Sequence, residues 1–150
     1  MIRWQPLYTF NIKVMKELEK KLEQKKVRPT AMRLLVLEAL QNQKAAISLQ
    51  DLELTFEKAD RITLYRTLKR FQKKGLIHSI EDGTGVTKYA LCQEGCECAP
   101  EDMHVHFFCK SCEDTFCLPK LKIPEVSLPL GFVSVETNLL VKGICANCTK

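Results

Sequence analysis

Two short cysteine pairs, Cys109-Lys110-Ser111-Cys112 and Cys145-Ala146-Asn147-Cys148, constrain the fold of this chain more than any other feature. Each Cys-x-x-Cys spacing lets two thiolates reach one ion. Together the four sulfurs fill the tetrahedral shell that a structural zinc prefers, with Zn–S of about 2.3 Å. The stretch from Cys112 to Cys145 is longer than the roughly 15–20 residues of a simple zinc ribbon, so the ion is expected to staple the two ends of a small subdomain. Disulfides and a thioredoxin-like redox pair are the rival readings. Two matched pairs without a βαβ pattern argue against the redox pair. Lys13 and Lys16 interrupt any apolar leader behind Met1, so the chain is expected to be cytoplasmic, where thiols stay reduced and clustered cysteines more often hold metal.

All eight cysteines lie from Cys92 onward, and the charge divides at the same place. Residues 1–91 carry 18 Lys/Arg against 10 Asp/Glu, a net +8, whereas residues 92–150 carry 5 against 8, a net −3. A basic, cysteine-free front and an acidic, cysteine-rich back suggest a polyanion-binding module joined to a metal-binding one. The expected division is 1–91, a joining segment 92–102, and 103–150. The longest uncharged stretch, 126–135, falls far short of the roughly 20 apolar residues of a membrane span.

The front module reads as four helices and a hairpin. Leu7, Phe10, Val14, Leu18 and Leu22 recur near helical spacing, giving a first amphipathic helix from Thr9 to Lys26. Thr30 caps a second helix with a stripe of Leu34, Leu37 and Leu40. Ser48 and Asp51 have capping-box spacing at the start of a short third, with Leu52 and Phe56 apolar. Asp60 caps a fourth, in which Leu64, Leu68 and Phe71 point inward and a basic face stays wet. Gly75 ends it. Two extended segments, Leu76–Ile80 and Val86–Leu91, flank the turn-forming Glu81-Asp82-Gly83-Thr84-Gly85. Helices followed by a hairpin are the order of a winged helix-turn-helix. Its second helix enters the major groove, here Arg61 to Lys74. Arg66 suits a guanine and Tyr65 a thymine methyl, while Lys69, Arg70 and Lys73 suit phosphates.

A second metal-ligand set gathers near the junction. Strand alternation puts His104 and His106 on one face and Val105 and Phe107 on the other. Cys117 is expected on a neighbouring strand, His78 lies on the first hairpin strand and Cys92 ends the second. Nitrogen and sulfur donors in this mixture suit zinc.

These residues resemble the ferric uptake regulator family of bacterial metal-responsive repressors. The resemblance rests on the run 28–34 at the second helix, Ile62-Thr63-Leu64-Tyr65-Arg66-Thr67-Leu68, Lys74-Gly75-Leu76-Ile77, the run 104–112 and Gly131-Phe132 leading to the run 143–148. It implies an α+β protein, with an N-terminal winged helix that binds operator DNA and a small C-terminal α/β domain that makes a homodimer. It further implies base contacts by Tyr65 and Arg66, a minor-groove contact by Arg28, and Cys109, Cys112, Cys145 and Cys148 as structural zinc ligands. No small-molecule substrate, membrane or enzymatic activity is implied.

The departures concern the regulatory site. His104 and His106 match family ligands, but Ala46 stands where a His is usual, Ala90 where a Glu is usual, and Cys117 replaces a carboxylate. The family's additional ion site has Met103, Val105 and Thr137 in its place. A site without carboxylates and with sulfur favours Zn²⁺ over Fe²⁺ or Mn²⁺, which resembles the zinc uptake branch. The regulatory ion is therefore expected on His104, His106 and Cys117 with Cys92 or His78, and the function is expected to be zinc-responsive repression. The alternatives are an iron- or manganese-responsive regulator of the same family, or a thiol switch through Cys92, Cys96, Cys98 or Cys117. Pro119, Pro124 and Pro129 imply that the helix usual after Cys117 is short or absent.

Overall fold

The computed structural model describes residues 12–92, 104–135 and 137–150, so Cys96, Cys98 and the first residues of the expected opening helix lie outside the described residues. The front half builds on helices α1 (Ile12–Gln24), α2 (Ala31–Asn42), α3 (Leu49–Thr55) and α4 (Arg61–Lys73), with strands β1 (Ile47–Ser48), β2 (Ile77–Ile80) and β3 (Lys88–Leu91). Local chemistry sets the boundaries. Thr30 Oγ1 accepts from the Arg33 amide at 3.4 Å and Asp60 Oδ2 from the Thr63 amide at 3.0 Å. Ser48 and Asp51 form the reciprocal box at 3.1 and 2.7 Å. Gly75 adopts φ 65° beyond α4, a conformation that a residue with a Cβ enters at a cost.

One apolar core joins these elements. Leu18 and Leu22 of α1, Leu37 of α2, Leu52 of α3, Leu64, Leu68 and Phe71 of α4 and Ile77 of β2 are all buried within it. Each such side chain contributes roughly 1.5–3 kcal/mol of transfer free energy, and the opposite face of α4 is left free for solvent. The three strands pair antiparallel in the order β1-β3-β2. β1 was not foreseen. It is two residues long, and its Ser48 both pairs with Lys88 and caps α3.

The back half is a second three-stranded sheet, order β5-β4-β6, from β4 (His104–Cys109), β5 (Thr115–Lys122) and β6 (Leu140–Gly143). β5 runs antiparallel to β4 and β6 parallel to it. The register slips between His104↔Lys122 and Val105↔Leu118, so β5 bulges over 119–121, where Pro119 has no amide to give the ladder. From 123 to 139 no described residue is helical or in a strand, as the prolines imply. Among the described residues no helix is long and apolar enough to cross a membrane.

Candidate metal centres and nucleic-acid interface

The register of the second sheet decides which donors meet. His106 stands directly opposite Cys117, one row from Phe108, which faces Thr115 on one side and Lys142 on the other. Alternation along β4 turns His104, His106 and Phe108 to one face and Cys109 to the other. The hairpin β2–β3 covers the histidine face and brings His78 to it. His78 Nε2 lies 3.3 Å from both His106 Nε2 and Cys117 Sγ. The rings of His104 and His106 are 4.8 Å apart between centroids, and one donor atom from each of His78, His104, His106 and Cys117 falls within 4.8 Å of the others.

These separations suit a common ion. Donors about 2.0–2.3 Å from a tetrahedral zinc stand roughly 3.3–3.8 Å from one another. Protonation favours loading too. Burial, followed by the charges of His104 and His106, lowers His78 to about 4, and burial with His104 lowers His106 to about 4. Both imidazoles are therefore neutral at pH 7, the form that binds metal. Burial pushes the Cys117 thiol up to about 12, so it holds its proton until a cation competes for the sulfur.

The sequence left His78 and Cys92 as alternatives, and the structure gives them different positions. Cys92 Sγ lies 3.5 Å from His78 Nδ1, on the far side of the ring from the cluster. When Nε2 faces an ion, Nδ1 carries the hydrogen and donates it to the Cys92 sulfur, fixing tautomer and ring orientation.

The four-cysteine cluster forms at the opposite end of the sheet. Cys109, Cys112, Cys145 and Cys148 bring their sulfurs within 4.8 Å of one another, with Cys112 Sγ 3.9 Å from Cys145 Sγ. The Cys145 amide donates to Cys109 Sγ at 3.3 Å. Backbone N–H groups of Cys112 first, then of Cys145 and Ser111, hold the Cys109 thiol down to about 6, which stabilises the thiolate that metal requires. The first pair straddles the end of β4 and the second follows β6, where Gly143 lets the strand approach the Phe107 ring.

On α4, Ile62, Tyr65, Arg66, Lys69 and Arg70 are exposed, opposite the buried Leu64, Leu68 and Phe71. Arg66 therefore stands beside Tyr65 on a free face. The Lys69 ammonium lies 5.5 Å from the centre of the Tyr65 ring, so it packs on the tyrosine as well as facing solvent. Arg28 is exposed, and its carbonyl accepts from Arg33 Nη1 at 2.8 Å. Asp82, Lys88 and Thr115, which the sequence reading did not single out as functional, meet between the two sheets. Asp82 read as a turn former, and nothing in one dimension brings it to Thr115.

Fold and site together define a winged-helix protein with an appended sheet and two metal-ligand clusters, one of which the wing shares through His78. Residues 24–128 match the model of the ferric uptake regulator family, and the chain belongs to that family of metal-responsive transcription regulators, not to an enzyme class. It is 29% identical over 118 residues to the zinc uptake regulation protein of Mycobacterium tuberculosis, covering 75% of this chain and 85% of that protein. Among solved structures it is similar to a zinc uptake regulator complexed with zinc and DNA, at TM-score 0.63, 24% identity, and coverage of 92% and 94% of the two chains. It also resembles holo XcZur, at TM-score 0.66, 20% identity, and coverage of 93% and 99%.

Proposed function

We propose that the chain is a zinc-responsive repressor that binds operator DNA as a homodimer, with residues 1–91 as the DNA-binding domain, 92–102 joining, and 103–150 as the dimerisation domain. One observation carries this reading: the mixed cluster takes His78 from the hairpin of the DNA-binding half and His104, His106 and Cys117 from the second sheet. Zinc, when bound, supplies a fixed tetrahedral demand on those donors. Three imidazoles and one sulfur, without a carboxylate among the described residues, favour it over iron or manganese. Among the described members His78 alone moves with the hairpin, so its engagement favours one wing orientation over others, and it is this differential preference that shifts the population. The zinc-bound regulator among the similar structures supports the same reading. The buried Cys117 thiol, held protonated, is poorly suited to reaction with peroxide.

Dimerisation has its own support. Val126, Leu130, Phe132, Val133 and Val135 are exposed on the back half, an apolar surface of the kind that marks a protein interface. In a twofold dimer two α4 helices face successive major grooves about 34 Å apart.

The direct test loads metal-free, reduced protein stepwise with zinc while following sedimentation and binding to DNA selected from a random pool. Two zinc ions per chain are expected, with tight DNA binding appearing as the second loads. One zinc per chain, with DNA affinity indifferent to more, overturns zinc sensing. At the DNA surface, Arg66→Ala is expected to cost about 1–3 kcal/mol on the best site and to relax the preference at one base position. Arg70→Ala should weaken all sequences alike and reduce the salt slope by about 1. A uniform loss from Arg66→Ala, without relaxed specificity, removes it from base recognition.

A further inference from the structure

A third constellation lies between the two metal clusters. The Asp82 carboxylate sits in the wing turn and is 1% exposed. Its Oδ2 accepts from Thr115 Oγ1 at 2.6 Å and pairs with Lys88 Nζ at 2.9 Å, and its Oδ1 accepts from the Thr84 amide at 3.0 Å. Lys88 Nζ also donates to the Glu113 carbonyl at 2.7 Å and to Thr115 Oγ1 at 3.1 Å. All three ammonium hydrogens thus have acceptors, and the ammonium lies 5.3 Å from the Phe108 ring centre. From the loop before β1, the Ala46 amide donates to the Thr115 carbonyl at 2.7 Å.

Four of these contacts grip the segment 113–115: Asp82 on Thr115, Lys88 on Glu113 and on Thr115, and the Ala46 amide on Thr115. That segment runs from Cys112 of the four-cysteine cluster to Cys117 of the mixed cluster, and Thr115 shares a sheet face with Cys117. Among the described residues the hairpin therefore makes polar side-chain contacts with the second sheet at two places: His78 of β2 in the mixed cluster, and Asp82 with Lys88 at Thr115. A body held at one point pivots; held at two, it keeps its direction. A buried charge pair with every hydrogen bond satisfied is a weak source of stability, but it specifies one arrangement because alternatives leave charges unpaired.

We propose that Asp82, Lys88 and Thr115 form a latch that fixes the wing on the second sheet, so that occupancy of the mixed His/Cys cluster is converted into wing orientation and DNA affinity. The latch residues are positioning residues. Their role in coupling rests on the metal-sensing reading above, whereas their clamping of the wing does not.

Two measurements separate these levels, made on wild type and on T115V, D82N and T115S, all with the four-cysteine zinc retained. The first is hydrogen exchange at the Ala46 amide without added zinc. At least tenfold faster exchange is expected in T115V and D82N, and near wild-type exchange in T115S, which keeps the hydroxyl. Unchanged exchange in both disruptive variants overturns the latch, whatever the metal does. The second is the ratio of DNA affinity with zinc to that without. A fall of tenfold or more in T115V and D82N, with recovery in T115S, supports coupling through the latch. A residue serving stability alone would lower both affinities and leave the ratio as in wild type, and that result overturns the coupling role. A wild-type ratio of one is instead the failure of metal sensing, and Ala46 exchange still decides the clamp. Unaltered exchange of the α4 amides shows that each variant has folded.

Discussion

Cys117→Ala should abolish zinc-dependent DNA binding while leaving the helical half and the four-cysteine zinc intact. Cys117 is the only sulfur in the mixed cluster among the described residues and faces His106 directly across β4 and β5. Its loss removes one of four donors, so zinc affinity should fall by more than the 10–100-fold that deleting an outer-shell partner costs. Cys92→Ser supplies the contrast. Its sulfur touches the far nitrogen of His78, so the expected loss is within about 10–100-fold and the response survives at higher zinc. Equal losses in the two variants, measured by competition with a chelator, would make Cys92 a ligand.

A pH dependence follows. His78 and His106 are lowered to about 4 and are uncharged at neutrality, whereas Cys117, pushed up to about 12, keeps its thiol proton. Cys117 should therefore release about one proton when zinc binds at this cluster, and its share alone should raise affinity about tenfold per pH unit from pH 6 to 9. For the metal-free protein the sign is the same, from different groups. Imidazoles with folded values below 6.5 contribute stability that is present above 6.5 and is lost as pH falls towards 4. Calorimetry in buffers of different ionisation enthalpy counts the released proton; a count of zero contradicts the assignment of Cys117.

Cys145→Ser should have the second large effect, on architecture rather than sensing. β6 is four residues long, pairs only with β4 among the described residues, and leaves Val141 exposed, so little apolar burial holds it. Its anchorage is the Lys110 amide on the Gly143 carbonyl at 2.7 Å and the cysteine cluster beyond. Structural zinc in small domains is worth about 10–16 kcal/mol at neutral pH. Losing one ligand should release β6, expel one zinc per chain and dissociate the proposed dimer, while α2 and α4 stay folded on their own core. Sedimentation and exchange at the β6 amides report this. A dimer with protected β6 amides would show that packing alone holds the strand.

How far the sequence reaches follows from how local each signal is. The helices of the front half were legible because caps and apolar spacing act within a few residues: Thr30, Ser48 with Asp51, and Asp60 all cap as their spacing implies. Alternation placed His104 with His106, and the matched pairs joined the four cysteines. β1 and β6 were not legible. Each is too short for an alternation signal, and each exists only through a partner distant in sequence. The choice between His78 and Cys92 was likewise undecidable, because it depends on which way a ring held by β2 turns. Asp82 shows the same limit: its Asp-Gly context explains a turn fully, and only the packing of the hairpin across β5 gives its carboxylate partners.

Because β4 serves both metal centres, its numbering is a matter of parity. His104 and His106 are even and Cys109 is odd, so the strand delivers imidazoles to one side and a thiolate to the other. Inserting or deleting one residue between His106 and Cys109 would put all three on the same side, so that one centre or the other loses what the strand supplies to it. A two-residue change would shift the centres along the strand yet keep them on opposite sides. The distance between the two ions can therefore vary only in steps of two residues, about 6.6 Å.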